Sequence, residues 1–291
     1  MLRIYLIRFF LWTQVGVFCH AQGPLDGYLK GKGVLDFAPS FSFNNARKFQ
    51  GAPENVYDEI YKGQMLSLFA EYGLSERLDL VATASMVFTA TQSGLQDGGA
   101  FIKFRPFYRS MGAAGKLGAI AGLGMTFPLS DYSPTTTGAL GRKAVTLPLQ
   151  LILQWETPLG LFFNCTAGYH NRLDKLNPAD IAQVRLQRPD FDPTPPKPFT
   201  TFLLKTGFPA RHYYLDAWVE WQNTREGSDY MPGVPDLSQA FRVSYTQVGG
   251  TLYYSDTGKN GFYLSGGYIL KGRNVSHIAR LTFGFVFKWT T

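Results

Sequence analysis

Near the end of the chain runs Asn274-Val-Ser-His-Ile-Ala-Arg-Leu-Thr-Phe-Gly-Phe-Val-Phe-Lys-Trp289. Every second residue from Val275 is Val275, His277, Ala279, Leu281, Phe283, Phe285, Phe287 and Trp289, a largely apolar row that ends in aromatics. The alternate row carries Ser276, Arg280, Thr282, Gly284 and Lys288, with Ile278 and Val286 among them. Strict alternation is the period of a strand with two unlike faces. A half-buried strand of a soluble sheet has a mode of about 5–6 residues. A strand crossing lipid needs about 9–11, with aromatics at the interface. The length and the aromatic end of this stretch favour the second.

Working back from it, alternation recurs along the whole chain. Strands are expected at 33–43, 61–73, 77–89, 99–108, 116–129, 144–156, 159–169, 199–208, 213–221, 241–255, 262–270 and 274–289. Short connections follow every second strand. The others are mostly longer, with polar loops expected at 44–60, 130–142, 170–196 and 223–239. Short turns at one end and long loops at the other mark an up-and-down outer-membrane barrel. The fold class is therefore all-β: a closed, antiparallel, transmembrane β-barrel of about 12 strands spanning 33–289. The last strand should pair with the first to close it. Pro148 counts against 144–156 as an interior strand. Asn177-Pro178 reads as a helix start inside the loop 170–196, and Pro193 to Pro196 as an extended spacer.

Composition agrees with this class. Aromatics make up 15% of the chain and there are 31 glycines, which suits a barrel better than a helical enzyme. Residues 1–21 have the order of a secretory signal: Arg3 and Arg8, an apolar stretch from Phe9 to Phe18, then Cys19-His20-Ala21. Its removal takes away two arginines and lowers the formal charge from +7 to +5. Residues 22–32 are a Gly-, Lys- and Asp-bearing lead-in. Cys165 is then the remaining cysteine, so a disulfide within the chain is excluded. No Lys/Arg block stands out, which argues against a nucleic-acid partner. No apolar run after the signal approaches the ~18 residues of a membrane helix.

If the apolar rows face lipid, the others face the lumen. The lumen candidates are Asp36, Glu71, Asp79, Lys103, Arg105, Glu156, Lys205, Asp216, Glu220, Arg242, Arg280 and Lys288. Charges of both signs imply a hydrated or salt-bridged interior, either a water-filled channel or a lumen filled by its own ion pairs. Catalytic chemistry is sparse. Neighbours Ser276 and His277 point to opposite faces, so they form no nucleophile–base pair. His277 falls in the lipid-facing row, where a lipid-hydrolysing barrel enzyme could carry its base; the plainer reading is a polar residue at interface level. No nucleophile elbow, phosphate loop or metal-spaced His/Cys cluster appears, so neither catalytic residues nor a metal or other cofactor is expected.

The hairpin Glu71-Tyr-Gly-Leu-Ser-Glu-Arg-Leu78 and the earlier Gly27-Tyr-Leu-Lys-Gly-Lys-Gly33 carry a resemblance. Together they resemble bacterial outer-membrane barrels of transporter type, near the phenol-degradation meta-pathway outer-membrane protein family. The resemblance implies an outer-membrane barrel passing small, in part hydrophobic, solutes. Its partners would be outer-membrane lipid, the barrel-assembly machinery and a small solute. The chain departs from such barrels in ending with Thr290-Thr291 after its aromatic. The functional expectation is a porin-like channel for passive passage of small solutes. The alternatives are a non-conducting structural or adhesive barrel and a lipid-hydrolysing one.

Overall fold

Alternation gives each strand one face for lipid and one for the interior, and a sheet in lipid must close to leave no backbone group unpaired. The computed structural model shows that outcome, a closed antiparallel barrel of 12 strands. It describes residues 25–290 except 53–54, 91, 133–142, 174–176, 187–188, 191, 193–196, 231–236, 238–239 and 257–259. The signal segment and most of the loop 130–142 lie outside the described residues.

The staves are β1 (Val34–Gln50), β2 (Val56–Ser75), β3 (Leu78–Thr89), β5 (Asp97–Ser110), β6 (Lys116–Pro128), β7 (Thr146–Glu156), β8 (Phe162–Arg172), β9 (Phe199–Pro209), β10 (Tyr213–Thr224), β11 (Ser244–Tyr254), β12 (Asn260–Arg273) and β14 (Ala279–Thr290). Two short pieces flank them: β4 (Ser93–Leu95) on β3, and β13 (Val275–Ser276) on β1. Each stave pairs with its neighbours in chain order, and β14 returns to β1 from Val34↔Thr290 to Asn45↔Ala279. Ser42 and Thr282 share a hydroxyl hydrogen bond of 2.8 Å across that closing seam.

Short turns join β2–β3, β5–β6, β7–β8, β9–β10 and β11–β12, all at the end where the chain enters β1. Longer connections lie at the other end, where the helix α1 (Pro178–Arg185) begins on an Asn177 side chain that accepts from Ala179 N–H at 3.0 Å. One polar stretch is not a loop. β1 runs to Gln50 and β2 starts at Val56, so 44–50 and 56–60 form a ladder where polarity suggested a loop. Both strands, at 17 and 20 residues, exceed the about 9–11 a bilayer needs. Beyond the lipid the pairing continues, with Asn44, Ala46 and Phe49 buried on β1 and Phe49 against the ring of Tyr230.

Pro148 lies within β7 after all. The β6–β7 ladder steps from Leu123↔Leu149 to Thr126↔Thr146, so the missing N–H of Pro148 falls in a gap. Pro39 meets a similar gap between Phe37↔Phe287 and Ser40↔Gly284, and Pro106 sits at the Phe104/Phe107 bulge. The terminal stretch is broken too: it splits between β13 and β14. Asn274 adopts φ 53°, and His277 donates its backbone N–H to Lys48 O at 2.9 Å. The period that put His277 in the lipid row is interrupted there, and His277 lies at the rim beside the β1 extension.

The outer face is apolar. Leu149, Leu151 and Leu153 of β7 are 55, 50 and 47% exposed, as are Leu281, Phe283 and Phe285 of β14 at similar levels. Such a continuous band fits lipid as its solvent. Near the short turns it gives way to rings, with Trp155 on Phe163 at 5.5 Å, Phe287 on Trp289 at 6.0 Å and Tyr213 beside Tyr254 at 5.0 Å. That is the aromatic girdle of a membrane barrel.

Candidate functional site

The interior is built by the inward rows and by a segment that precedes them. Residues 25–33, which composition marked only as a lead-in, run as a strap inside the short-turn end. Leu25 is buried against Val81, Phe101, Ile120 and Ile152 from four staves, with Leu29 packed beside them. The strap lies so near the wall that it needs small residues on both sides. A Cβ on Gly27 would stand 1.8 Å from Gln154 Oε1, and one on Gly73 of β2 would stand 1.8 Å from the Gly31 carbonyl oxygen.

Charge fixes the strap. Lys103 Nζ, fully buried, donates to Asp26 Oδ1, Tyr28 O and Glu71 Oε1, each at 2.5 Å. Lys30 Nζ lies 3.1 Å from Asp36 Oδ2 and 3.2 Å from Glu71 Oε2, and the Lys30 N–H donates to Asp79 Oδ2 at 2.7 Å. Buried charges persist only when paired and hydrogen-bonded. Here the strap residues Asp26 and Lys30 take part in three of the four ion pairs. Register explains why the wall residues meet: Asp36 stands opposite Glu71, and Asp79 opposite Lys103.

Toward the long-connection end the interior opens into a chamber of about 640 Å³, with Leu25 to Tyr28 at one side of it. Its wall is hydroxyl and amide, including Ser40, Ser85, Gln150, Thr166, Gln222 and Gln247, interleaved with Phe69, Phe199, Trp218 and Tyr263. Four charged residues line it, two of each sign: Asp26, Glu220, Lys205 and Arg280. Each has a partner. Lys205 is 3.5 Å from Asp216, Tyr245 Oη donates to Glu220 at 2.8 Å, and Arg280 Nε donates to Asn44 Oδ1 at 2.8 Å.

The twelve sequence candidates thus separate into groups. Asp36, Glu71, Asp79 and Lys103 come together on the strap. Lys205, Glu220 and Arg280 line the chamber, and Asp216 is buried behind Lys205, accepting from Tyr214 Oη at 2.8 Å. Arg105 and Glu156 face a smaller cavity of about 90 Å³ beside Tyr28. There Arg105 donates to Glu76 O at 2.8 Å, and Glu156 accepts from Gln154 at 3.0 Å. Lys288 is half-buried opposite Asp36 in the seam. Arg242 precedes β11 and donates to Thr224 O at 3.2 Å, outside the chamber lining. Sequence reasoning missed Asp26 and Lys30. Their only signal was opposite charge spaced among glycines.

At the long-connection end, Val184 of α1 is buried against Leu237 and Ala240 of the β10–β11 connection, with Ile181 beside them. The helix therefore packs on a neighbouring loop, and among the described residues it contributes nothing to the chamber lining. A clasp ties that connection to the end of β12. Arg273 Nε donates to Asp229 Oδ1 at 2.7 Å, and Asn274 Oδ1 accepts from Tyr230 N–H at 2.9 Å. The paired guanidinium holds the Asp229 carboxyl below the usual carboxylate range.

The chain thus combines an apolar outer band, a closed ladder and an interior carrying charges, hydroxyls and amides. The fold is that of an outer-membrane barrel. Among solved structures, an outer membrane channel from Pseudomonas putida F1 superposes with a TM-score of 0.68 at 15% identity, over 92% of this chain and 100% of that one. The NanC porin follows at a TM-score of 0.50 and 9% identity, over 88% of this chain and 99% of its own. At these identities the likeness is one of fold. No family model matches the sequence, and no curated protein matches it.

Proposed function

We propose that this chain is a porin-like channel of the bacterial outer membrane, for passive passage of small solutes. The observation that carries it is the chamber: about 640 Å³ of space, walled by hydroxyls and amides interleaved with aromatic and aliphatic side chains, inside a barrel whose outer face is apolar. A barrel of about eight strands is filled by its own side chains, whereas this twelve-stranded one is, among the described residues, filled by the strap at one end and open at the other. Both superposable structures named above are, by their own descriptions, a channel and a porin. In this reading the chain is exported with a cleaved signal over 1–21, is inserted by the barrel-assembly machinery, and rests in outer-membrane lipid. Passage takes place beside or after displacement of the strap.

The strap also favours a second reading, a non-conducting structural barrel whose lumen it closes. Planar-bilayer recording of the refolded mature protein separates them. Discrete current steps support the channel. Silence at every voltage, from protein that shows the heat-dependent gel shift of a folded barrel, supports the closed barrel.

A further inference from the structure

The channel reading leaves the solute open, and one feature of the chamber wall bears on it. Trp218 of β10 stands opposite Gly249 of β11, which stands opposite Gly267 of β12. The three form one inward row. The indole reaches over both glycines: a Cβ at Gly249 would stand 2.3 Å from Trp218 Cζ2, and one at Gly267 would stand 3.4 Å from Trp218 Cη2. The missing side chain at Gly249 therefore leaves room for the ring against the wall, with Gly267 in ordinary contact with its far edge. Trp218 is half-buried and lines the chamber, so part of the ring remains open to it.

Around this platform the chamber offers hydrogen-bonding groups without net charge. Gln222, Gln247 and Ser265 lie among the lining residues, and the four lining charges balance. A purely apolar solute would strip water from these amides and hydroxyls without replacing its hydrogen bonds, which is unfavourable. An anionic solute would find Lys205 already paired with Asp216, and a wall whose two cations are matched by two carboxylates. A sugar ring meets both features. Its positively polarised C–H edges pack on the negative face of an indole, and its hydroxyls exchange hydrogen bonds with amide and hydroxyl side chains. The volume lies within the about 300–1,000 Å³ of small-molecule sites.

We propose that the chamber binds a neutral saccharide stacked on Trp218. The proposal rests on the channel reading for how solute reaches the chamber, but its test does not depend on current. Refolded mature protein in detergent is titrated calorimetrically with maltose, with its anionic oxidised form maltobionate, and with toluene. The expected result is saturable millimolar binding of maltose in preference to the other two. Trp218→Ala should weaken it about tenfold and Trp218→Phe less, since a ring remains to stack on. The heat-dependent gel shift confirms that each variant is folded. Equal maltose affinity in wild type and Trp218→Ala overturns the proposal, as does preference for maltobionate or toluene, or the absence of maltose binding. Protein that conducts yet binds no maltose loses this proposal and keeps the channel. Protein that binds maltose at Trp218 yet never conducts loses the channel and keeps the site.

Discussion

The two ends of the lumen solve the same problem in opposite ways. At the short-turn end, which faces the periplasm in outer-membrane barrels, inward charges meet charges of the strap and an apolar cluster packs around Leu25. At the other end the inward rows are mostly hydroxyls and amides, and the space between them stays open. The difference teaches what keeps a barrel of this size hollow. Full charges brought together without water must be paired, so they recruit the strap. Neutral polar groups are satisfied by water and leave the space free. Charges paired with the strap therefore mark the closed end of this lumen, whereas at the open end hydroxyls and amides outnumber the few lining charges.

The largest effect on this contrast should come from Lys103. Lys103→Met leaves Asp26 and Glu71 close together without their shared cation, and removal of one partner from a buried network costs about 3–5 kcal/mol. Thermal or denaturant unfolding in detergent should show that loss. A loss below about 1 kcal/mol would mean the network is wet and the two ends are alike. Glu220 is the matching probe in the chamber. Glu220→Gln should change stability by no more than about 1 kcal/mol, because the amide oxygen still accepts the Tyr245 hydrogen bond. It should nevertheless shift the reversal potential under a salt gradient toward anion preference, since it removes one of the two negative charges on the chamber wall. An unchanged reversal potential would place the ion path elsewhere.

The smallest effect concerns the clasp above the chamber. The Asp229 carboxyl titrates below its unfolded value because Arg273 hydrogen-bonds its charged form. Its contribution is therefore complete above the unfolded carboxylate value of about 3.9 and is lost as pH falls through the lower folded value. The melting-temperature difference between wild type and Asp229→Asn should accordingly be constant near neutrality and shrink in acid. A difference that grows in acid would contradict the assignment.

Much of the fold was legible because lipid enforces it. Leu149, Leu151 and Leu153 on β7, or Leu281, Phe283 and Phe285 on β14, alternate strictly since each second side chain must meet hydrocarbon. The lopsided loops then gave the topology. Legibility ended where lipid did. From 44 to 50 polar side chains occur on both faces, Ala46 and Phe49 keep no alternation between them, and nothing in the pattern records that main-chain pairing continues. His277 was misplaced because one left-handed residue, Asn274, and the break after it reset the period. Within the lumen, sequence could assign Glu71, Asp79 and Lys103 to the inward rows. It could not bring them to Asp26 and Lys30, because closure of the barrel decides which staves surround the strap. Trp218 alternates with Asp216 and Glu220 on the inward row, but its seat on Gly249 depends on the register of β10, β11 and β12. A bulge at Thr246/Gln247 adjusts the second of those pairings.

The central claim is that a hollow, conductive lumen is narrowed from one end by the strap. The most direct measurement is single-channel conductance of the mature protein beside a variant lacking residues 22–32, both folded by the gel-shift criterion. The account predicts larger and longer-lived current steps without the strap, from a pore otherwise of the same selectivity. Equal conductance from the two proteins, or silence from both, would contradict it.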